Sequence, residues 1–394
     1  MKIQVAVIFG GRSVEHEVSI ISALQAISNM DAEKYDITPV YLTKENEFFT
    51  GEYIWNIEEY RNIDRLLINS TRVTFINEKD RYYIVNYPQK RLGSRLKKEI
   101  DIVLPIVHGT NVEDGTLMGY LKTMGIPFAG CDLTCSVIGM DKYVQKLVFR
   151  DNGIPALECL RFNMDDYRDV DGIVKKIEEK FGYPVIAKPV NSGSSVGISV
   201  ADNKDELTDC IDTAFSFANT ILVERAIKNL QEINCSVVGD TEDAGASLCE
   251  EPFHSDEILS YEDKYLSGGK GKKTGGASKG MASVARKIPA DIPDEMTKKI
   301  QEMAVRAFRA LGCCGVVRFD FMIDKDSSEI FINEVNTIPG SLSFYLWEPA
   351  GVTYTELLDK IISLALKRTR DEKRVTFSFE TNILDQASFG GVKK

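Results

Sequence analysis

Gly315-Val-Val-Arg-Phe-Asp-Phe-Met-Ile323 and Ile330-Phe-Ile-Asn-Glu-Val-Asn336 decide the reading of this chain. Both segments alternate polar and apolar residues, and successive side chains of a strand face opposite sides. Arg318 and Asp320 therefore share one face, while Val317, Phe319, Phe321 and Ile323 share the other. Strict alternation in the second segment places Glu334 and Asn336 together. Asp324-Lys-Asp-Ser-Ser-Glu329 between them is turn-like. A hairpin centred on Ser327 sets Asp320 opposite Glu334 and Arg318 opposite Asn336, with opposed side chains roughly 5 Å apart. Two facing acids repel unless a cation stands between them. Two carboxylates and an amide oxygen are hard donors, suited to Mg²⁺ or Mn²⁺, and Mg²⁺ commonly completes its shell with nucleotide phosphates. The competing reading is a surface hairpin of alternating charge.

Composition narrows the class. A chain of 394 residues implies two or three domains, and a hydrophobic fraction of 43% supplies their cores. The formal net charge of −11 argues against general nucleic-acid or anionic-membrane binding. No window reaches the ~18 apolar residues of a membrane span, and Ile3–Phe9 lacks the features of a signal peptide. The eight cysteines contain no CxxC and there are three histidines, a poor pattern for zinc. We read reduced, mostly buried thiols in a cytoplasmic protein.

Along the chain, strands at 3–9, 37–41, 101–107 and 126–129 alternate with helices at 17–30 and 113–124. This predicts an N-terminal doubly wound parallel sheet. Residues 43–98 carry weak periodicity and receive no assignment. A second unit holds a helix at 141–152 and strands at 183–190, 197–201 and 221–224, the last at the domain edge. A third holds helices at 293–311 and 356–367. Ala187-Lys-Pro-Val-Asn-Ser-Gly-Ser-Ser-Val-Gly197 joins two strands with small residues beside Lys188, suited to approach a phosphate. Ser260–Lys287, rich in Gly and Lys and set inside a domain, reads as a lid; exposed solvated lysines are the plainer reading of its basic residues.

These pieces, in this order, resemble the ATP-grasp ligases, and specifically the D-alanine–D-alanine ligase family. The matching segments are Gly10-Gly-Arg-Ser-Val-Glu-His-Glu-Val-Ser19, His108 with Glu113-Asp-Gly-Thr116, Met140-Asp-Lys142, Lys188 with Gly193-Ser-Ser195, Lys264-Tyr265, Arg318 with Asp320, and Glu334-Val-Asn-Thr-Ile-Pro-Gly340. The resemblance implies an α/β ATP-grasp protein of three domains: 1–130 holding the first-substrate loop, 131–224 a central lobe with the phosphate loop, and 225–394 a C-terminal lobe with lid, metal clamp and an added tail. It implies that Lys142, Lys188, Ser194, Ser195, Glu224, Ile227 and Glu232 bind ATP, Glu224 at the adenine amino group and Glu232 at the ribose. Asp320, Glu334 and Asn336 would hold two Mg²⁺. Glu15 would receive the ammonium of the first amino acid, linked with Ser194 and Tyr265. His108 and Lys264 would help form the substrate sites, and Arg318 and the Gly340 N–H would stabilise the oxyanion. The resemblance also implies a homodimer and a cytoplasmic ligase making D-alanyl-D-alanine for peptidoglycan.

The chain departs from the family pattern in places. Asn111-Val112 stand where many members have two glycines. In Ser341-Leu-Ser-Phe-Tyr-Leu-Trp347, Tyr345 occupies the usual position of a serine that binds the second substrate's carboxylate; Ser343 or the Leu346 N–H are its possible substitutes. The acceptor therefore stays open between D-alanine, D-serine and D-lactate, with Tyr265 favouring an amine. A catalytically silent nucleotide-binding protein is the reading from another class. In the tail 371–394, Val375–Phe379 reads either as an added strand or contact or as a frayed end.

Overall fold

A computed structural model describes residues 2–89, 95–193, 196–252 and 286–377. The first sheet begins with β1 (Ile3–Gly10), buried along six consecutive residues, as a strand covered on both faces must be. It pairs in parallel with β2 (Tyr35–Leu42) and, on its other side, with β7 (Ile102–Ile106). Helix α1 (His16–Asn29) is the β1–β2 crossover. The unassigned stretch is an antiparallel meander of β3 (Phe48–Thr50), β4 (Thr71–Glu78), β5 (Arg81–Asn86) and β6 (Lys97–Ile100), with helix α2 (Ile63–Ile68) between β3 and β4. The sheet is therefore mixed, in the order β6-β5-β4-β3-β2-β1-β7. The β4–β5 turn hid from the sequence because Lys79 and Asp80, not glycines, take its left-handed positions at φ 55° and 64°.

Two other expected elements differ. Residues 126–129 form one bridge, Val103 to Phe128, and not a strand; Pro127 has no N–H to offer and Gly130 turns away at φ 90°. Helix α3 (Thr116–Thr123) starts only after Gly115, so Glu113 precedes it and is free to point elsewhere.

Helices α4 (Leu133–Met140) and α5 (Lys142–Asp151) lead into a second sheet. Its strands β8 (Cys159–Asn163), β9 (Val185–Pro189), β10 (Ser199–Ala201) and β11 (Thr220–Arg225) run in the order β10-β9-β11-β8. β11 is thus an interior strand of its sheet, because β8 pairs along its other side. Helices α6 (Val170–Lys180) and α7 (Lys204–Phe217) supply Ile173, Ile177, Leu207 and Ile211 to the core beneath.

The third sheet has the order β14-β13-β12-β15-β16, built from β12 (Leu230–Gly239), β13 (Ala244–Pro252), β14 (Arg286–Lys287), β15 (Gly315–Asp324) and β16 (Glu329–Asn336). Helix α8 (Asp294–Ala310) covers its apolar face with Ile300, Met303, Ala304, Ala307 and Phe308. Helix α9 (Tyr354–Glu372) starts at a Thr353–Glu356 capping box. Its apolar stripe joins the core of the first sheet, not that of the third. Residues 375–377 form no strand, and the rest of the tail lies outside the described residues.

Candidate active site

The hairpin pairs Arg318 with Asn336 and Asp320 with Glu334, the expected partners. It does so by another route, because β16 does not alternate strictly. Phe321 pairs with Ile332, so Asn333 is an extra residue that shifts the register between Asp320 and Phe321. A β-bulge leaves such a residue unpaired and bends its strand. Without it Glu334 would follow Ile330 and Ile332 into the core. With it Val335 is buried and Glu334 stays on the polar face.

β12 and β13 extend that face. Asn234 pairs with Asp320 on one side and Glu250 on the other, so Glu250, Asn234, Asp320 and Glu334 form one polar row across four strands. Ser236, Arg318 and Asn336 form the next row. Arg318 grips Asp320 through two bonds, Nε to Oδ1 at 2.7 Å and Nη2 to Oδ2 at 2.8 Å. Asn336 Nδ2 donates to the same Oδ2 at 3.1 Å. Burial works against the Arg318 charge, but Asp320 outweighs it and raises the guanidinium pKa. Burial also raises the Asp320 carboxyl, helped by Glu334 and Glu232 and opposed by Arg318.

Helix α5 lays a polar stripe against this sheet. Asp141 caps it by accepting from Tyr143 and Val144 N–H, each at 2.9 Å. Lys142, Gln145, Lys146 and Phe149 then form its buried side. Lys142 Nζ lies 3.4 Å from Glu334 Oε2 and donates to Ser192 O at 2.5 Å. Gln145 Oε1 accepts the Val335 N–H at 3.0 Å, beside the bulge. Lys188, at the end of β9, donates to Asn333 Oδ1 at 3.2 Å and pairs with Glu224. Lys146 Nζ is 2.8 Å from the other Glu224 oxygen, and both partners are almost wholly buried. Burial pushes the Glu224 carboxyl up, but the two ammonium groups win and hold it down at about 2. The carboxylate expected at the adenine amino group is thus taken up by two lysines. Glu232 lies one alternation from Asn234 on β12, and Ile227 sits in the link between β11 and β12.

Glu15 precedes α1 and meets two glycine loops. A Cβ on Gly193 would stand 2.7 Å from Glu15 Oε2, and one on Gly109 would stand 2.8 Å from it. The expected phosphate loop and the 108–114 loop thus converge on this carboxylate. His108 is buried behind them, with Nδ1 2.8 Å from Ile338 O and Nε2 3.2 Å from Ser22 Oγ. The carbonyl requires Nδ1 to carry the proton, and Ser22 Oγ in turn accepts the Ser341 N–H at 3.0 Å. Burial lowers the pKa of this imidazole, against the opposing charge of Glu15. His108 therefore holds the 338–341 backbone in place. Glu113 does the same nearby. Its carboxylate accepts from Ile338 N–H at 2.8 Å, Thr337 Oγ at 3.1 Å and Gly109 N–H at 3.0 Å. Burial, reinforced by Glu15, pushes it up to about 7 against those donors.

Beyond Gly340 the chain makes a left-handed turn. Ser341, Leu342 and Ser343 have φ of 49°, 52° and 51°. Each costs an L-residue roughly 1–2 kcal/mol, and such strain gathers at functional sites. The turn buries Tyr345 and Leu346. Tyr345 Oη donates to Glu250 Oε1 at 3.3 Å, and the Arg286 guanidinium stacks 3.9 Å from its ring. Arg286 also donates to Glu250 Oε2 at 2.8 Å. The buried Ser343 hydroxyl has no hydrogen-bond partner among the described residues. Ser194, Ser195, Lys264 and Tyr265 lie outside the described residues.

The donor set suits a hard divalent cation. Asp320 and Glu334 face each other from adjacent strands with Asn336 beside them, all oxygen or amide donors. A nucleotide triphosphate would find Lys142 and Lys188 on the same side.

Two family models divide the chain: the D-ala D-ala ligase N-terminus matches residues 4–131 and the D-ala D-ala ligase C-terminus residues 148–363. The chain belongs to the D-alanine–D-alanine ligase family. A D-alanine–D-alanine ligase of Caldicellulosiruptor bescii is 39% identical over 394 residues, 96% of this chain and 99% of its own. The VanG D-Ala:D-Ser ligase of Enterococcus faecalis superposes with a TM-score of 0.75 at 32% identity, covering 93% of this chain and all of its own. A D-alanine–D-alanine ligase of Bacillus anthracis complexed with ATP superposes with a TM-score of 0.63 at 25% identity, covering 94% of this chain and 99% of its own. The fold of this ligase is the ATP-grasp arrangement. Sequence reasoning about the ligase passed over Lys146, Asn234, Glu250, Asn333 and a role for Glu113. The alternation Glu232-Ile-Asn-Cys-Ser-Val237 was the signal for Asn234, and the spacing of Lys142 and Lys146 the signal for Lys146.

Proposed function

We propose that the chain is an ATP-dependent ligase that joins two D-alanines into D-alanyl-D-alanine for peptidoglycan synthesis. The observation that carries this reading is the polar row of Asn234, Asp320 and Glu334 facing Lys142 and Lys188 from an adjacent lobe. The lysines neutralise the ATP phosphates and hold them in line with the first substrate, whose ammonium Glu15 receives. The γ-phosphoryl group passes to the substrate carboxylate, giving an acylphosphate and ADP; positioning and charge neutralisation do most of this work. The amine of the second D-alanine attacks the acyl carbon, phosphate departs with the C–O bonding pair, and the amine's proton is lost as the amide forms. Arg318 and the Gly340 N–H stabilise the oxyanion between these steps.

Asp320, Glu334 and Asn336 would hold Mg²⁺, or Mn²⁺, which when bound offsets phosphate charge. Gripped by Arg318, Asp320 is oriented before any ligand arrives. Ser194, Tyr265 and Lys264 complete the first-substrate network and lid, which keeps water from the acylphosphate. Ser195 belongs with the phosphate loop, and Ile227 and Glu232 with the nucleoside. The three-part division at 130 and 224, a cytoplasmic location and a homodimer belong to the same reading; light scattering on the purified chain checks the dimer.

The acceptor is tested by supplying MgATP and D-alanine with D-serine and D-lactate in competition. D-Alanyl-D-alanine is the expected main product. A predominantly mixed product moves the assignment to another acceptor, which the Tyr345–Glu250 contact in place of a serine would favour. No D-alanine-dependent phosphate release overturns ligase chemistry.

A further inference from the structure

Cys131, Cys135 and Cys313 come from three places: the residue after Gly130, the first turn of α4, and the turn between α8 and β15. The fold brings their sulfur atoms within 4.8 Å of one another, and the thiols are 0%, 1% and 1% exposed. Cys135 and Cys313 are 178 residues apart, so no short spacing could reveal the cluster. Close backbone packing makes the meeting possible. Gly315 takes φ +85° with its missing Cβ 3.0 Å from Gly130 Cα. Arg368 of α9 ties the same joint, donating to Gly130 O at 2.7 Å and Phe128 O at 2.6 Å.

We propose that these three thiols form a structural site for one borderline-soft divalent cation of the zinc class, with the Cys314 carbonyl oxygen as fourth ligand. The distances suit it. With Zn–S about 2.3 Å and Zn–O about 2.1 Å, tetrahedral neighbours stand about 3.8 Å apart for two sulfurs and about 3.6 Å for sulfur and oxygen. The Cys135 and Cys313 sulfurs are 3.2 Å apart, and Cys131 Sγ is 3.6 Å from Cys314 O. The Cys131 Sγ to Cys314 O separation already matches the second value, and the Cys135–Cys313 pair has to open by about 0.6 Å to match the first. Three thiolates and a divalent ion carry one net negative charge, which the neighbouring Arg368 guanidinium offsets. A disulfide would use only two of the three sulfurs. The ion would pin the start of α4 to the third sheet, away from the ligase chemistry.

The test is zinc content. The full chain is produced in zinc-supplemented cells, dialysed against magnesium, and analysed by plasma mass spectrometry beside Cys131→Ser, Cys135→Ser and Cys313→Ser. One zinc per wild-type chain and background levels in each variant are expected, with intense visible bands in the cobalt-substituted wild type. Background zinc in the folded wild type overturns the proposal, as does zinc retained in full by the variants. A Cys135–Cys313 disulfide in unreduced peptide maps does the same. Where a variant fails to fold, the wild type alone decides: mercurial titration of its thiols must release the ion as the cluster is modified, and zinc released without thiol modification counts against the site.

Discussion

Glu334 and Lys146 show how single residues separate chemistry from stability in this site. Glu334 is partly exposed, meets Lys142 at 3.4 Å and faces Asp320. Glu334→Gln keeps the shape and removes the charge. We expect turnover to fall by about 10²–10³, the scale of one lost electrostatic contact at a reacting centre, with little change in melting temperature. Steady-state rates across a magnesium titration check this, and unchanged turnover at limiting magnesium would count against the clamp. Lys146 behaves oppositely, being almost fully buried against Glu224. Lys146→Met leaves that acid with Lys188 alone, so denaturant unfolding should show a loss at the lower end of ~3–5 kcal/mol. The pair also sets the acid limit. Glu224 has its folded pKa lowered to about 2 from 4.5, so its stabilisation is present above the unfolded value and disappears as pH falls through the folded one. Acid unfolding of Lys146→Met should therefore begin at higher pH than in the wild type.

At the scale of elements, loops from different strands are fastened by a few buried groups. Gly193 lets its loop approach Glu15, and an added Cβ would press on the far end of that flexible side chain at 2.7 Å. Gly193→Ala should raise the KM for the first D-alanine while melting temperature stays nearly constant; an unchanged KM would mean that the two loops do not share the substrate. Glu113 fastens the 109 loop to residues 337–338, with a folded pKa raised to about 7 from 4.5. Its contribution is present below the unfolded pKa and is lost as pH rises through the folded one. Melting temperatures from pH 4 to 8 should fall more steeply for wild type than for Glu113→Gln, which cannot titrate there. The facing of Asp320 and Glu334 was expected from strict alternation, a local code that β15 obeys; on β16 the same pairing is reached only through the bulge at Asn333. The antiparallel meander was not, because Lys79-Asp80 lacks the usual turn residues. The bulge was also hidden: one inserted residue leaves composition untouched while changing which side chains share a face. Lys146 and Glu224 needed the fold, since their meeting depends on how α5 lies over the second sheet. The carboxyl-end loops were readable as site elements, whereas the convergence of Gly109 and Gly193 on one carboxylate required all three dimensions.

At the scale of the molecule, helix α9 fastens distant parts of the chain to one another. Arg368 donates to Gly130 O and Phe128 O and lies over the Phe128 ring at 4.8 Å. Arg368→Ala removes charged donors from two carbonyls, so urea unfolding should report a loss of ~1–3 kcal/mol; additivity with Lys146→Met in the double variant would mark the two joints as independent. Leu357, Leu358, Ile361, Ile362 and Ala365 share one core with Val5 through Phe9. Strands made first therefore lack part of their apolar cover until residues 357–365 have been made. Until then the emerging chain carries that sheet only partly covered. Truncation before residue 354 would therefore leave apolar surface of that sheet open to aggregation.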